Sequence, residues 1–184
     1  MFAAAVSMGA TVIRSHTLGF SSGNANALQP TTTTINASAW TAIDYVFYKA
    51  TQTGIKLICP LTDCYNYYHG NYGDYPANRG VQKTNFFTNA TLTADFKQFI
   101  STWLNHVNTY TGVAIKNSPA LFAIETGNEF NIRPDVTSTT YPPASWLSDI
   151  SAYIKTMDSK HFILDGTDEN FGNSNDFAIS TLDM

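Results

Sequence analysis

Four short apolar runs punctuate the chain with little polar alternation: residues 11–14 (TVIR), 55–60 (IKLICP), 121–124 (LFAI) and 161–164 (HFIL). Strands covered on both faces read this way. Pro119 just before the third run, and the 131–134 stretch just after it, bound a segment too short for a helix. Between the runs the spacing changes to that of amphipathic helices. Over 39–53, Trp40, Ile43, Val46, Phe47 and Ala50 share a face, with Ser38 as cap and Gly54 as stop. Over 94–110, Phe96, Phe99, Ile100, Trp103, Leu104 and Val107 do so, with Thr93 as N-cap and Gly112 just beyond. Over 146–158 the inward set is Trp146, Leu147, Ile150, Tyr153, Ile154 and Met157. Residues 2–8 read as the tail of a further helix, with Gly9 at its C′ position.

Strand-helix alternation predicts an α/β fold: a parallel sheet of βα units with right-handed crossovers and strands near 11–15, 55–61, 121–126 and 161–165. A chain of 184 residues, 43% of them hydrophobic, buries a sizeable core in one domain. A net charge of -4 with ten Lys and Arg excludes the basic stripe of a nucleic-acid binder. The apolar runs fall far short of the roughly 20 residues of a membrane-crossing helix. MFAAAVSMGA lacks the basic leader of a signal peptide, and Gly70, Gly73 and Gly80 do not form a phosphate-cradling turn.

In parallel βα folds, chemistry gathers at the carboxyl ends of the strands. Here these ends carry Arg14, Ser15 and His16; Thr62 and Asp63; Asn128 and Glu129; and Asp165, Thr167, Asp168 and Glu169. The sharpest case is LFAIETGNEF, residues 121–130, where an apolar run delivers an amide and a carboxylate to one rim. The linker 63–91 has no periodicity and carries Tyr65, Tyr67, Tyr68, Tyr72 and Tyr75. Loops this long are usually functional or disordered. Tyr residues among Asn and Gly suit sugar binding, where rings stack on pyranose faces and amides bond hydroxyls; the competing reading is loop anchoring. Four His residues lack metal-ligand spacing, and no metal or other cofactor is expected. His106 and His161 read as structural, His16 as a sugar contact, and His69 is undecided. Cys59 and Cys64 are a disulfide or two free thiols. Asn36-Ala-Ser38 and Asn89-Ala-Thr91 are glycosylation acceptors.

The segments VIRSHTLGF, LQP, AIDYVFYKATQTGIKLI, FFTN, NTYTGVAIKNSP and ALFAIETGNEF resemble glycoside hydrolase family 5, and within it fungal endo-β-1,4-mannanases. Their most specific part is Asn128-Glu129 closing a strand after NTYTG and a Pro-led apolar run. The resemblance implies a (β/α)8 TIM barrel and hydrolysis of β-glycosidic bonds with retention. It makes Glu129 the catalytic acid/base after strand four and puts Asn128 on the sugar hydroxyl beside the reacting carbon. Arg14 becomes the arginine of strand two that keeps the nucleophile ionised, and Glu169 in GTDENF a substrate-binding acid, with Asp168 and His16 beside the substrate.

Retaining hydrolysis needs two carboxyl groups about 5–5.5 Å apart. Glu125 is excluded as the partner, because four residues of extended strand would put its backbone about 13 Å from that of Glu129. The family's nucleophile closes strand seven, whereas the resemblance covers only strands two to five. The expectation is therefore an incomplete barrel, residues 1–184 being one partial catalytic domain truncated at both ends, inactive alone and prone to self-association through its open edges. Phe130, Asn131 and His16 depart from the usual Pro, Arg and Trp, which opens the sugar preference. The resemblance implies a secreted, extracellular enzyme acting on β-mannan or a related β-glycan; a β-1,4-glucanase and a non-catalytic carbohydrate-binding protein are the alternatives.

Overall fold

The computed structural model describes residues 1–15, 25–67, 69–130, 142–167 and 178–183. In chain order the elements are α1 (Phe2–Ser7), β1 (Val12–Arg14), α2 (Trp40–Thr53), β2 (Lys56–Pro60), α3 (Asp74–Asn78), α4 (Ala90–Asn105), β3 (Leu121–Glu125), α5 (Ala144–Met157) and β4 (Phe162–Leu164). The strands form one sheet in the order β1-β2-β3-β4, every pair parallel. Each crossover steps to the next position in the same direction, as around a barrel, whereas a doubly wound sheet reverses direction partway. The four strands are an arc of a (β/α)8 barrel, about half of its circuit.

Alternate residues separate the two faces of the arc. Ile13, Leu57, Cys59, Ile124 and Ile163 pack toward the helices, in a core with Phe47, Phe99, Trp103, Leu104, Leu147, Ile150 and Ile154. The opposite face, which a closed barrel turns inward, carries Arg14 and Glu125; on it Val12 and Phe162 remain 39% and 43% exposed. Cys59 and Cys64 are both free and buried, and burial pushes the Cys59 thiol up to about 12.

Helix boundaries differ from the expectation where local side chains compete for backbone N–H groups. Ser38 is not the cap of α2: Asn36 accepts the Ser38 N–H and opens a 3₁₀ turn, Ala37–Ala39, that leads into the helix. Thr93 lies inside α4, which starts four residues before the expected Ala94 because Asn89 accepts from the N–H groups of Thr91 and Leu92. The Asn of each glycosylation triplet is thus a helix cap. Val107 leaves the apolar stripe and is 53% exposed, because the chain turns extended at His106 and α4 ends at Asn105. The loop tyrosines divide too. Tyr72 and Tyr75 are buried in an aromatic core with Phe86, Phe87, Phe96, Phe130 and Trp146, so loop anchoring is the correct reading for them. Tyr65 and Tyr67 stack on each other at 5.8 Å on the surface side, and Tyr68 lies outside the described residues.

The NTYTG segment is a fastener rather than a site. Asp44 of α2 is fully buried, and its carboxylate accepts from His106 Nε2 at 2.8 Å, Thr109 N at 2.9 Å and Thr109 Oγ1 at 2.7 Å. Asn108 Nδ2 donates to the Asp44 carbonyl, and Trp40 stacks on His106 with ring centroids 3.6 Å apart. A buried carboxylate persists only with such donors, so this network ties the exit of α4 to α2.

At the outer edge of β4, Asp183 bonds both backbone groups of Ile163: its N–H donates to the Ile163 carbonyl, and its Oδ2 accepts the Ile163 N–H at 2.7 Å. Burial works to raise the Asp183 carboxyl, but Lys155 and the Ile163 N–H outweigh it and hold it below the ordinary value. Asp158 behaves alike: burial raises it, and His161 with the N–H groups of Lys160 and His161 brings it lower. Both folded-state values lie below the unfolded ones, so their stabilisation is complete above the unfolded carboxylate range, about pH 4, and is lost as pH falls through the lowered values. Urea midpoints should therefore fall as pH drops below about 4, and less steeply in Asp158→Asn; equal acid limbs for the two proteins would contradict the assignment.

Candidate active site

β1, β2 and β3 bring their carboxyl ends together on the inward face. Arg14 lies opposite Ile58, and Ile58 opposite Ala123, so Glu125, two residues on, shares the face of Arg14. The contact follows: Arg14 Nε donates to Glu125 Oε2 and Nη2 to Oε1, both at 2.7 Å. This bidentate pair is one-sided in burial, with the Arg14 side chain 42% exposed and that of Glu125 8%. Burial pushes the Glu125 carboxyl up while Arg14 pulls against it, and the hydrogen bonds to Glu125 raise Arg14 above its already high value. Arg14 is therefore a fixed cation at any working pH, and Glu125 is its buried counter-charge. Nη1 makes no hydrogen bond among the described residues.

Strand pairing ends at Glu125, so the extended geometry used to space Glu125 from Glu129 stops there. Residues 126–130 run on between the neighbouring strand ends, held by single bridges of Asn128 to Asp63 and of Phe130 to Thr167. The Asn128 N–H donates to the Thr62 carbonyl and the Phe130 N–H to the Gly166 carbonyl. Phe130 inserts its ring among Tyr72, Phe87 and Trp146 and lies against Gly127. Between these anchors Glu129 is exposed and takes φ 51°, the left-handed region that costs a non-glycine residue energy. The surrounding pairing holds it there.

Asn128 is buried and bonded at both ends of its amide. Arg14 Nη2 donates to Oδ1 at 2.6 Å, and Nδ2 donates to Asp63 Oδ1 at 3.0 Å. Asp63 in turn accepts from Tyr65 N at 2.9 Å and from His69 Nε2 at 2.9 Å. Arg14 and Asn128 are therefore in contact, with Glu129 next along the chain, while His16, Asp168 and Glu169 lie outside the described residues. Three members of the network were not in the expected set. In the sequence Asp63 reads only as a strand end, His69 carries no distinguishing signal, and Glu125 is spaced away from Glu129; the signal for Glu125 is a carboxylate inside an apolar strand, which requires a buried partner. Among the described residues no group of three or more His, Cys, Asp or Glu could hold a metal ion, and no helix is long and apolar enough to cross a membrane.

The model of glycoside hydrolase family 5, β-mannosidase-like, matches residues 27–181. Mannan endo-1,4-β-mannosidase 3 of Arabidopsis thaliana is 30% identical over 89% of this chain and 40% of its own length. Mannan endo-1,4-β-mannosidase 2 of Oryza sativa subsp. japonica is 33% identical over 94% of this chain and 39% of its own. The chain thus spans about 40% of the length of these relatives. Among solved structures, the endo-1,4-β-mannanase of Rhizomucor miehei superposes with a TM-score of 0.82 at 27% identity, over 99% of this chain and 59% of that one. The endo-β-1,4-mannanase of Thermotoga petrophila, at 23% identity, shares the fold with a TM-score of 0.76 over 91% of this chain and 38% of that one. With the family model matching residues 27–181, the chain belongs to glycoside hydrolase family 5, β-mannosidase-like.

Proposed function

We propose that this chain carries the acid/base half of a retaining endo-β-1,4-mannanase, with Glu129 as the acid/base. The observation that carries the reading is Glu129 itself: exposed, held at φ 51° and adjacent to a clamped Asn128 at the strand ends. In the first step the Glu129 carboxyl gives its proton to the glycosidic oxygen as the bond to the anomeric carbon breaks and a second carboxylate attacks that carbon. In the second step Glu129, now a carboxylate, takes a proton from the water that displaces the enzyme from the sugar. Asn128 offers an amide N–H to the adjacent sugar hydroxyl. Arg14, with Nη1 unengaged among the described residues, holds the second carboxylate ionised. His16, Asp168 and Glu169 line the substrate path. The names of the relatives, mannan endo-1,4-β-mannosidases, support β-1,4-mannan as substrate; an extracellular place of action follows from the family resemblance alone.

Glu125 is committed to Arg14, and the family pattern places the nucleophile after strand seven. We expect the 184 residues alone to self-associate and to turn over no substrate. The deciding experiment is substrate profiling of the full-length protein, with the anomer of the first product read by NMR. Retained configuration and a higher kcat/KM on β-1,4-mannan than on β-1,4-glucan are expected. The reverse preference would make it a glucanase, and mannan binding without cleavage would make it a binding protein. Turnover by the 184-residue chain, abolished in Glu129→Gln, would show that the partner lies within it.

A further inference from the structure

Asn128 can serve a sugar hydroxyl only if its amide faces one way, because flipping a carboxamide exchanges its donor and its acceptor. Two neighbours decide the orientation. The guanidinium of Arg14 is donor-only and sits 2.6 Å from one end, which must be the oxygen. The carboxylate of Asp63 is acceptor-only and sits 3.0 Å from the other, which must be the nitrogen. A flipped amide would set donor against donor and acceptor against acceptor in a buried place, where unmade bonds are costly. One of the two Nδ2 hydrogens is used on Asp63, and among the described residues no hydrogen bond takes the other.

The clamp works only if Asp63 is itself immobile. It is fully buried; Oδ1 also takes the Tyr65 N–H, and Oδ2 takes His69 Nε2 at 2.9 Å. Its carbonyl accepts from Tyr72 N, and the Cys64 N–H reaches the Asn128 carbonyl at 3.0 Å. His69, in turn, is nearly buried and has its ring 5.4 Å from that of Tyr67. Orientation thus passes from the loop after β2, through His69 and Asp63, to the amide.

We propose that Asp63 and His69 are positioning residues that hold the Asn128 carboxamide in the single orientation presenting an N–H to the sugar. The inference rests on the reading of Asn128 as a sugar-binding residue. It also gives the 63–91 loop a role at the site that does not depend on its tyrosines stacking on substrate.

The test uses full-length protein labelled with ¹⁵N-asparagine, in which Asn128→Asp identifies the Asn128 side-chain signals by their loss. In the unaltered protein these two N–H signals should be well separated and slow to exchange. In Asp63→Ala and His69→Ala they should collapse toward free-amide positions. In His69→Gln, whose Nε2 can still donate to Asp63 Oδ2, they should return. On mannan, kcat should fall about 10²-fold in His69→Ala, the scale of a misplaced contact, with KM little changed and recovery in His69→Gln. Unchanged Asn128 signals in the alanine variants would overturn the proposal, as would signals that collapse while kcat stays the same. The His69 pair decides the matter if Asp63→Ala does not fold. Failure of the unaltered protein to cleave mannan would refute the proposed function instead, and the amide signals alone would then decide the positioning claim.

Discussion

Replacing Glu129 by Gln is expected to lower kcat on β-1,4-mannan in the full-length protein by roughly 10²–10⁴-fold, the usual share of a general acid. Gln keeps the shape and removes the transferable proton. Glu129 is exposed, and none of the hydrogen bonds that fasten the site, from Arg14 to Glu125 and Asn128 or from Asn128 to Asp63, uses its side chain. The unfolding temperature should therefore stay within a degree or two, a change typical of surface substitutions. The chemistry supplies an internal control. An aryl mannoside with a strongly acidic phenol leaves without protonation, so its bond-cleavage step should be nearly spared while mannan cleavage collapses. Equal loss on both substrates would mean that Glu129 does something other than give a proton, and a loss below tenfold would move the acid role to another residue.

The largest effect on stability is expected at Gly166. A Cβ built there would lie 1.5 Å from the Gly127 carbonyl oxygen and 2.5 Å from its carbon, both backbone atoms with no rotamer to yield. The approach is pinned on both sides: Gly166 N donates to Thr126 Oγ1, and the Gly166 carbonyl accepts from Phe130 N. Overpacking ordinarily costs about 1–3 kcal/mol and occasionally more; this backbone overlap belongs at the upper end or beyond. In the full-length protein Gly166→Ala should then lower the unfolding temperature by roughly a few degrees. The same substitution pushes on Gly127, one residue before Asn128, so mannan cleavage should fall even at temperatures where the variant is folded. A variant that melts with the unaltered protein would show that the β3 and β4 ends do not meet as closely as described.

How far the sequence could be read depended on whether a feature was local. The runs that become β1 to β4 are visible as short continuous apolar stretches, and the stripes of α2, α4 and α5 by their period of 3.6, both set by neighbours along the chain. Parallel order followed from strand-helix alternation, since a parallel pair needs a long crossover. Boundaries were less legible. Asn89 rather than Thr93 starts α4, because both residue types cap well and only the fold decides which side chain meets free N–H groups. Tyr72 and Tyr75 read as possible sugar platforms because composition does not distinguish a ring facing a cleft from one facing Phe86 and Phe96.

The site divides in the same way. Asn128 and Glu129 were legible because the break from apolar strand to amide and carboxylate falls within LFAIETGNEF, one local stretch of sequence. The partnership of Arg14 with Glu125 spans 111 positions and that of Asn128 with Asp63 spans 65; no periodicity along the chain encodes either. Those pairs exist because strand register sets Arg14 and Glu125 on one face, and because the turn through Gly127 carries Asn128 across to the end of β2. Sequence by itself therefore determined which elements form and their parallel order. Only the tertiary structure decided which buried charges neutralise one another and which way the Asn128 amide faces, because those depend on distances between segments that the backbone brings together only when the sheet is assembled.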